Sequence, residues 1–449
     1  MTKLNFLYAP EQLGTIAQQI IDKALQAGAT AAQVELNECI SNSIAVLNQQ
    51  IENFSTSHEH QLSLTVYNGK QKGNLGISQI DAHNLDKVIQ QALDIAKYTE
   101  EDMANGLLEP QFMVQNRHSD LELYHEAPSD NRELIEVSLD LEHLSCKQNK
   151  QIISSDGAEL SLSRYNFVIA NSNGLNSGYQ TSRYSKSVSL IATTAQGMQT
   201  DYWYSSARAY TDLASNQIIA DTALQRTLRR MNGGKANSGK PAIIFESQVA
   251  KSLIGNLVAA LSGGNLYRRL SFLNDSMGKA ILPTWFNLSD DPYLSRGLAS
   301  CYFDNEGSRV SQRNIIKDGV VHGYFLSSYS ARKLALDPTG NAGGSHNLKV
   351  SPNSTHDLAG LAATIHNGII IIDTIGHGLN LVSGDYSVGA NGLVVENGII
   401  SHFADNLTIA GKLQDIFANI ALIGIDSDPG HIECGAMVIN SGIISVSTN

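Results

Sequence analysis

The sequence predicts an α+β protein: an N-terminal mixed helix/antiparallel-strand region over residues 1–231, followed by a mainly antiparallel β C-terminal domain over 240–449. Three observations carry this reading. The first 231 residues alternate stretches of helical spacing with short period-two runs. Beyond residue 240 helices become rare, and Asx-Gly turns punctuate apolar runs; such turns are the strongest local hairpin signal, because both turn positions need positive φ. Between the two regions, residues 232–239 form a Gly/Asn/Ser-rich cluster that reads as a boundary. A chain of 449 residues is also too long for one simple core.

Taken in order, residues 10–27 form an amphipathic helix. Leu13, Ile16, Ala17, Ile20, Ile21, Ala24 and Leu25 line one face, and Gly28 supplies the stop. Alternating segments follow at 32–36, 43–48 and 61–67, with a turn at Asn68-Gly69. The next helix, 83–99, buries Leu85, Val88, Ile89, Ala92, Leu93 and Ala96, closing a helix–strands–helix unit over 1–100. Residues 100–128 read as a loop-rich crossover. A second unit, 129–231, opens with a helix over 130–147. Its strands run from Ile152 through a hairpin at 171–174 to 185–194 and 203–210, and a helix over 212–231 closes it. The two units are either a related pair or two unrelated α+β layers. Residues 241–245 are a short buried strand feeding a helix over 246–261, with Val249, Leu253, Ile254, Leu257, Val258 and Leu261 at helical spacing and Gly263-Gly264 as its stop. Hairpin signals follow at Lys317-Asp318-Gly319, Glu396-Asn397-Gly398 and, more loosely, Asn440-Ser441-Gly442, with core strands at 369–373, 392–395 and 436–439.

Composition narrows the function classes. At 42% hydrophobic residues and mean hydropathy −0.13, the chain reads as an ordinary globular protein. A net charge of −12 argues against a generic nucleic-acid binder, which needs clustered Lys and Arg to neutralise phosphates. The N-terminus has no apolar core of signal-peptide length, and no run approaches the roughly 20 apolar residues of a membrane span. Cys39, Cys146, Cys301 and Cys434 are scattered without a Cys-x-x-Cys, which fits a reduced cytoplasm.

The helix over 246–261, with Tyr267-Arg268-Arg269, Ser271-Phe272-Leu273 and Asp275-Ser276-Met277-Gly278-Lys279 after it, resembles the PmbA (TldE) branch of the TldD/PmbA metalloprotease family, in older naming modulators of DNA gyrase. Further matching runs keep the same order: 92–99, 297–300, 303–307, 315–319, 328–334, Thr339-Gly340-Asn341-Ala342-Gly343-Gly344-Ser345-His346-Asn347 and Ser383-Gly384-Asp385-Tyr386-Ser387. The resemblance therefore covers nearly the whole chain. It implies that the TldD branch carries His-Glu-x-x-Gly-His on the corresponding helix, two imidazoles and a carboxylate that can hold zinc and activate water. Aligned by its Gly-His pair, that motif falls here on Lys251, Ser252 and Asn256. An ammonium, a hydroxyl and an amide do not replace those groups, so the helix reads as a degenerate protease helix.

His58-Glu59-His60 is the one compact His/Glu cluster of the sequence. On a strand His58 and His60 share a face while Glu59 points away, and with no third ligand evident it reads as a solvated strand or turn. The resemblance implies a zinc-ligating cysteine near the C-terminus of the active branch; Cys434 is the tempting match, but reads as a small buried residue. Ser330 and Lys333 have Ser-x-x-Lys spacing, which the structural reading of a plain helix outweighs. The loop Gly343-Gly344-Ser345-His346-Asn347 is the best binding candidate, its glycines admitting a peptide close to backbone N–H groups; the other reading is a tight turn with a locally bonded Asn. Asp385 and Tyr386 are candidates for the same cleft.

The resemblance thus implies a non-catalytic subunit that grips a peptide or unfolded protein beside a TldD-type catalytic partner holding the zinc. This chain would then carry no metal and no catalytic residue, and would be cytoplasmic, off the membrane, free of nucleic acid and able to dimerise, with itself or with that partner. Two alternatives stay open: a metallopeptidase with unrecognised ligands, and a regulator binding a protein such as a topoisomerase.

Overall fold

A computed structural model of the protein describes residues 5–78, 84–115, 120–147, 149–194 and 197–448. The N-terminal region contains α1 (Pro10–Gln26), β1 (Ala31–Leu47), β2 (Gln50–Asn68), β3 (Gln71–Ile77) and α2 (Leu85–Tyr98). It then repeats that order of elements with α3 (Asn131–Lys147), β4 (Ile152–Asn171), β5 (Asn176–Thr194), β6 (Gly197–Ala207) and α4 (Asn216–Leu228). Among the described residues the six strands form one sheet, β3-β2-β1-β4-β5-β6, antiparallel throughout. The two expected units are therefore halves of a single sheet, joined by β1 and β4 from Gln33↔Asn171 to Val46↔Ala158.

The segments expected at 32–36 and 43–48 are one continuous strand. The residues between them keep the alternation, with Glu38 and Ile40 buried in phase with Leu36 and Ile44. The expected helix start at His83 lies outside the described residues, and Leu25 faces solvent rather than the core. The strand expected at 203–210 ends at Ala207, and the closing helix starts at Asn216 with Ser215 as its cap. Helices α1 and α2 cover one end of the sheet, over Val34, Leu36, Leu64 and Val66. Helices α3 and α4 cover the other end, over Ile44, Val46, Leu160 and Leu190. The N-terminal sheet thus carries two apolar cores with a seam between them.

The C-terminal region holds β7 (Ala242–Phe245), α5 (Ser247–Ala260), α6 (Gly263–Tyr267), β8 (Leu288–Asp291), β9 (Arg313–Lys317), β10 (Val320–Val321), α7 (Ser328–Leu334) and β11 (Asn347–Val350). It continues with α8 (Leu358–Ile365), β12 (Gly368–Ile375), β13 (Leu379–Asn380), β14 (Asp385–Glu396), β15 (Ile399–Lys412), α9 (Leu413–Ala418), β16 (Ile420–Ile423), β17 (Ile432–Glu433), β18 (Met437–Ile439) and β19 (Ser445–Thr448). Strands β16-β18-β7-β12-β14-β15-β19 form the larger sheet, with β13 beside β14; β10-β9-β8-β11-β17 form the smaller one. Both are mainly antiparallel, with parallel pairs at β7–β12 and β11–β17. Helix α5 lies in the core they share: its Leu253 and Leu257 belong to one buried cluster with Ile369 and Ile409 of the larger sheet and Leu288 and Ile315 of the smaller. The α+β class read from the sequence is the class observed.

Two of the three turns expected in the C-terminal region join paired strands. Asp318 and Gly319 link β9 to β10, and Asn397 and Gly398 link β14 to β15, all four at positive φ as a two-residue hairpin requires. The turn at Asn440-Ser441-Gly442 does not make a hairpin, because β18 pairs with β7 and β16 while β19 pairs with β15. Gly263-Gly264 is not the stop of α5 either. The helix ends at Ala260, and the two glycines open α6; neither has positive φ, and a Cβ on Gly263 would lie 2.4 Å from Ser330 Oγ of α7. Close approach of α6 to α7, rather than helix termination, is what that glycine serves.

Arginines fasten the regions at several places, two of which lie beside the clefts described below. Residues 100–115 of the crossover lie against α7, where Arg332 donates to Glu109 at 2.9 Å and to the carbonyls of Ala104, Gly106 and Leu107. At the end of α4, Arg230 bonds Asp201 of β6 at 2.8 Å and Asp373 of β12 at 2.5 Å, while Arg229 grips Glu246 with both guanidinium nitrogens at 2.6 and 2.9 Å. Burial alone would raise the Asp201 carboxyl, but Arg226 and Arg230 outweigh it and hold it below the usual range. A carboxylate lowered in the fold contributes stability above its unfolded pKa of about 3.9 and loses it as pH falls through the lower folded value. Arg230→Met is therefore expected to cost about 3–5 kcal/mol, the cost of breaking a buried pair, and Asp201→Asn to flatten the stability loss below about pH 4. Urea unfolding at neutral and acid pH checks both.

Candidate functional site

The helix singled out by its sequence follows a buried strand and starts beside the arginine cluster. Glu246 is its N-cap residue, and the backbone of Val249 and Ala250 bonds the Glu246 carbonyl. The apolar spacing of Val249, Leu253 and Leu257 turns one side inward, leaving Lys251 and Asn256 half-buried and Ser252 exposed. Lys251 does not lie idle. Its Nζ donates to the carbonyl of Asp428, and to that of Pro429 at 3.3 Å, in the loop that leads to β17. Burial lowers the Lys251 ammonium from its usual value, with Asp428 opposing.

Cys434 sits nearby, fully buried, with its Sγ on the carbonyl of Gly435. Burial pushes its thiol up to about 12, against the pull of Lys251. One thiol beside an ammonium falls short of the three protein ligands that a catalytic zinc takes. Lys251, Ser252 and Asn256 offer no imidazole and no carboxylate beside that single thiol. These residues do not fit a catalytic zinc.

What lies over this helix is a cleft of about 360 Å³, lined by Gln248, Val249 and Ser252 of α5, Tyr202, Trp203 and Tyr204 of β6, and Arg226, Arg230 and Asp373. This aromatic-and-arginine wall is not legible in the sequence, because the cleft is assembled from four segments, at β6, the end of α4, α5 and β12. A larger cleft, about 840 Å³, opens where the crossover meets α6 and α7, between Tyr67, Lys72, Glu101, Asp102, Tyr267 and Tyr329. Lys333 lines it, bonded at 2.8 Å to Asp102, whose other oxygen accepts from Tyr329 at 2.6 Å. Those two bonds hold the Asp102 carboxyl down at about 2. Ser330 instead pairs with Ser327 as a helix cap. Ser330 and Lys333 have separate structural partners and form no dyad.

The loop 343–347 divides into two faces. Gly343 and Gly344 are exposed at positive φ, whereas His346 and Asn347 are buried. His346 bonds Asp290 through its backbone N–H at 2.7 Å and its ring Nδ1 at 3.0 Å. Asn347 donates to Ser300 and to the Asp291 carbonyl, and accepts from the Ala299 N–H. Asn341 completes this support by bonding Asp290 and Arg313. The run 297–300 and the run 339–347, far apart in sequence, thus meet in one buried polar knot. Asp385 and Tyr386 are elsewhere. They line a cleft of about 720 Å³ with Lys240, His377, Asn380 and Lys412, to which none of residues 343–347 contributes. Asp385 is exposed and paired with Lys412 at 2.9 Å, while Tyr386 is largely buried. The expectation of one shared cleft is corrected by this separation.

His58, Glu59 and His60 lie in β2 as a strand, as one of the two readings had it, but they are not simply solvated. His58 bonds the buried Glu38 of β1 at 2.7 Å, and His60 is directly opposite Glu38 in the pairing register. The third acidic partner that seemed absent from the sequence is therefore supplied by the neighbouring strand. Its signal was available: Glu38 sits at an inward-facing phase of an alternating run, where a carboxylate needs a partner.

No described helix is long and apolar enough to cross a membrane. Family profiles of the PmbA/TldA metallopeptidase match three stretches: domain 1 at residues 32–96, the central domain at 124–231 and the C-terminal domain at 238–445. A metalloprotease PmbA homolog from Haemophilus influenzae is 37% identical over 426 residues, covering 95% of this chain and 94% of its own. The crystal structure of a candidate modulator of DNA gyrase from Bacteroides thetaiotaomicron superposes with a TM-score of 0.91 at 26% identity, over 97% of this chain and 98% of that one. TldE from Thermococcus kodakarensis shares the fold, with a TM-score of 0.78 at 19% identity over 98% of this chain and all of that one. On identity, coverage and fold together, the chain belongs to the PmbA/TldD metallopeptidase family.

Proposed function

We propose that this chain is the PmbA/TldE-type, non-catalytic half of a zinc metalloprotease, and that it grips an unfolded or modified peptide which a TldD-type partner cleaves. One observation carries the reading: the helix that would bear the zinc motif presents Lys251, Ser252 and Asn256, with Lys251 already bonded to the carbonyls of Asp428 and Pro429. The metal then belongs to the partner, and the work left to this chain is recognition. Exposed backbone in a sheet-rich domain suits that work, because an extended peptide can add along it as a strand. Gly343 and Gly344 offer such backbone, with His346 and Asn347 as the support beneath, and the cleft at Asp385 supplies a second contact.

Cleavage, rather than metal content, decides the proposal. An unfolded peptide incubated with this chain alone is expected to stay intact, and to be cleaved once a TldD-type subunit is added. Chelator-sensitive cleavage by this chain alone would favour a metallopeptidase with another ligand set. The triple variant Lys251→His/Ser252→Glu/Asn256→His is expected to remain inactive by itself, since it supplies two of the three protein ligands a catalytic zinc needs. Hydrolysis by that variant would show the ligand count to be wrong. The two candidate contacts separate by their effects. His346→Ala is expected to lower stability by about 1.5–3 kcal/mol, the worth of a hydrogen bond to a charged group. Asp385→Ala is expected to leave the melting temperature in place and weaken peptide capture in a pull-down.

A further inference from the structure

The seam between the two apolar cores of the N-terminal sheet is polar, and it gathers three side chains with metal-ligand chemistry. Glu38 on β1 and His60 on β2 are register partners, and His58 lies two residues along on the same face. One ligand atom from each of Glu38, His58 and His60 lies within 4.8 Å of the other two. Glu38 is 1% exposed, so its carboxylate is held in a setting where an uncompensated charge is costly. Oε1 accepts from the Leu7 N–H at 2.6 Å and meets His58 Nε2 at 2.7 Å, while Oε2 is buried with no hydrogen-bond partner. On the other side, Asn166 is the register partner of Glu38 on β4, and its Oδ1 is likewise buried and unpartnered.

We propose that Glu38, His58 and His60 form a binding site for a borderline divalent transition ion, of which zinc is the representative. Two imidazoles exclude the hard, oxygen-seeking cations Mg²⁺ and Ca²⁺ as preferred occupants, and suit zinc and its first-row neighbours. A dication compensates the buried carboxylate more completely than a neutral imidazole does. The Leu7 N–H on Oε1 is the kind of outer contact that fixes a ligating carboxylate. Both histidines are half-buried, which leaves a route for the ion and a fourth coordination position for water. The site lies on the N-terminal sheet, apart from Lys251 and Cys434, and it stands whether or not this chain is catalytic.

Titration of the chelator-stripped full chain with ZnCl₂ in a calorimeter tests it, with Co²⁺ absorption as a second readout. One ion per chain is expected, together with a visible Co²⁺ spectrum and a higher melting temperature. Changing an outer-shell contact alone costs about 10–100-fold in affinity, so His60→Ala and the near-isosteric Glu38→Gln are each expected to weaken binding by at least about tenfold. Cys434→Ser is expected to leave the stoichiometry at one. Absence of saturable binding in the unmodified chain would overturn the proposal. So would binding that His60→Ala and Glu38→Gln leave unchanged while both variants remain folded by circular dichroism.

Discussion

The ion network at the end of α4 is the constraint on which the rest of the molecule depends. Arg226, Arg229 and Arg230 reach a strand of the N-terminal sheet through Asp201, the first turn of α5 through Glu246, and the central β12 through Asp373. Each arginine also has an aromatic or carboxylate neighbour: Trp203 lies under Arg226 and Phe403 under Arg230. Charges this buried do not contribute much net stability over an apolar packing, because desolvation offsets their attraction. They do enforce geometry. The pairs are all satisfied together in the orientation in which the N-terminal sheet meets α5, and Arg226, Arg230 and Asp373 of the same network line the cleft beside Ser252.

The same mutual satisfaction of polar groups recurs in the runs at 339–347 and 328–334. His346, Asn347, Asn341 and Asp290 satisfy one another, and Arg332 spends its guanidinium on three backbone carbonyls and Glu109. Such residues are polar for architectural reasons: they hold irregular backbone that no sheet or helix holds. Lys251 belongs with them. Its ammonium closes the loop at 428–429 onto α5 and acts as a fastener.

The sequence made much of this legible, unevenly. Period and turn chemistry were enough for α1, α2, α3 and β7, and for the hairpins at Asp318-Gly319 and Asn397-Gly398. They failed where tertiary packing decides. The 17-residue β1 looked like two strands because Asn37, Asn42 and Ser43 blur its pattern, although Glu38 and Ile40 keep the phase. Gly263-Gly264 looked like a helix stop because glycine serves close packing and left-handed turns equally well. Asp385 and the 343–347 loop looked like neighbours because family runs carry no distances. Local spacing marks Glu38 as a buried carboxylate in need of a partner but does not identify His60, since that needs the register of two strands.

The central pairing of the N-terminal sheet has a further consequence for synthesis. β1 finds its second neighbour only in β4, with Gln33 opposite Asn171 and Val46 opposite Ala158, more than a hundred residues later in the chain. While the nascent chain emerges, the first half of the sheet can assemble as α1, β1, β2, β3 and α2, yet it must wait with one long flank of β1 unpaired. A bare strand edge of this length is a template for wrong partners, and contacts this distant in sequence are slow to close. The asparagines and serines that obscure β1 to a reader of the sequence, Asn37, Ser41, Asn42 and Ser43, reduce the hydrophobic appeal of that edge during the interval when the ribosome has not yet delivered its mate.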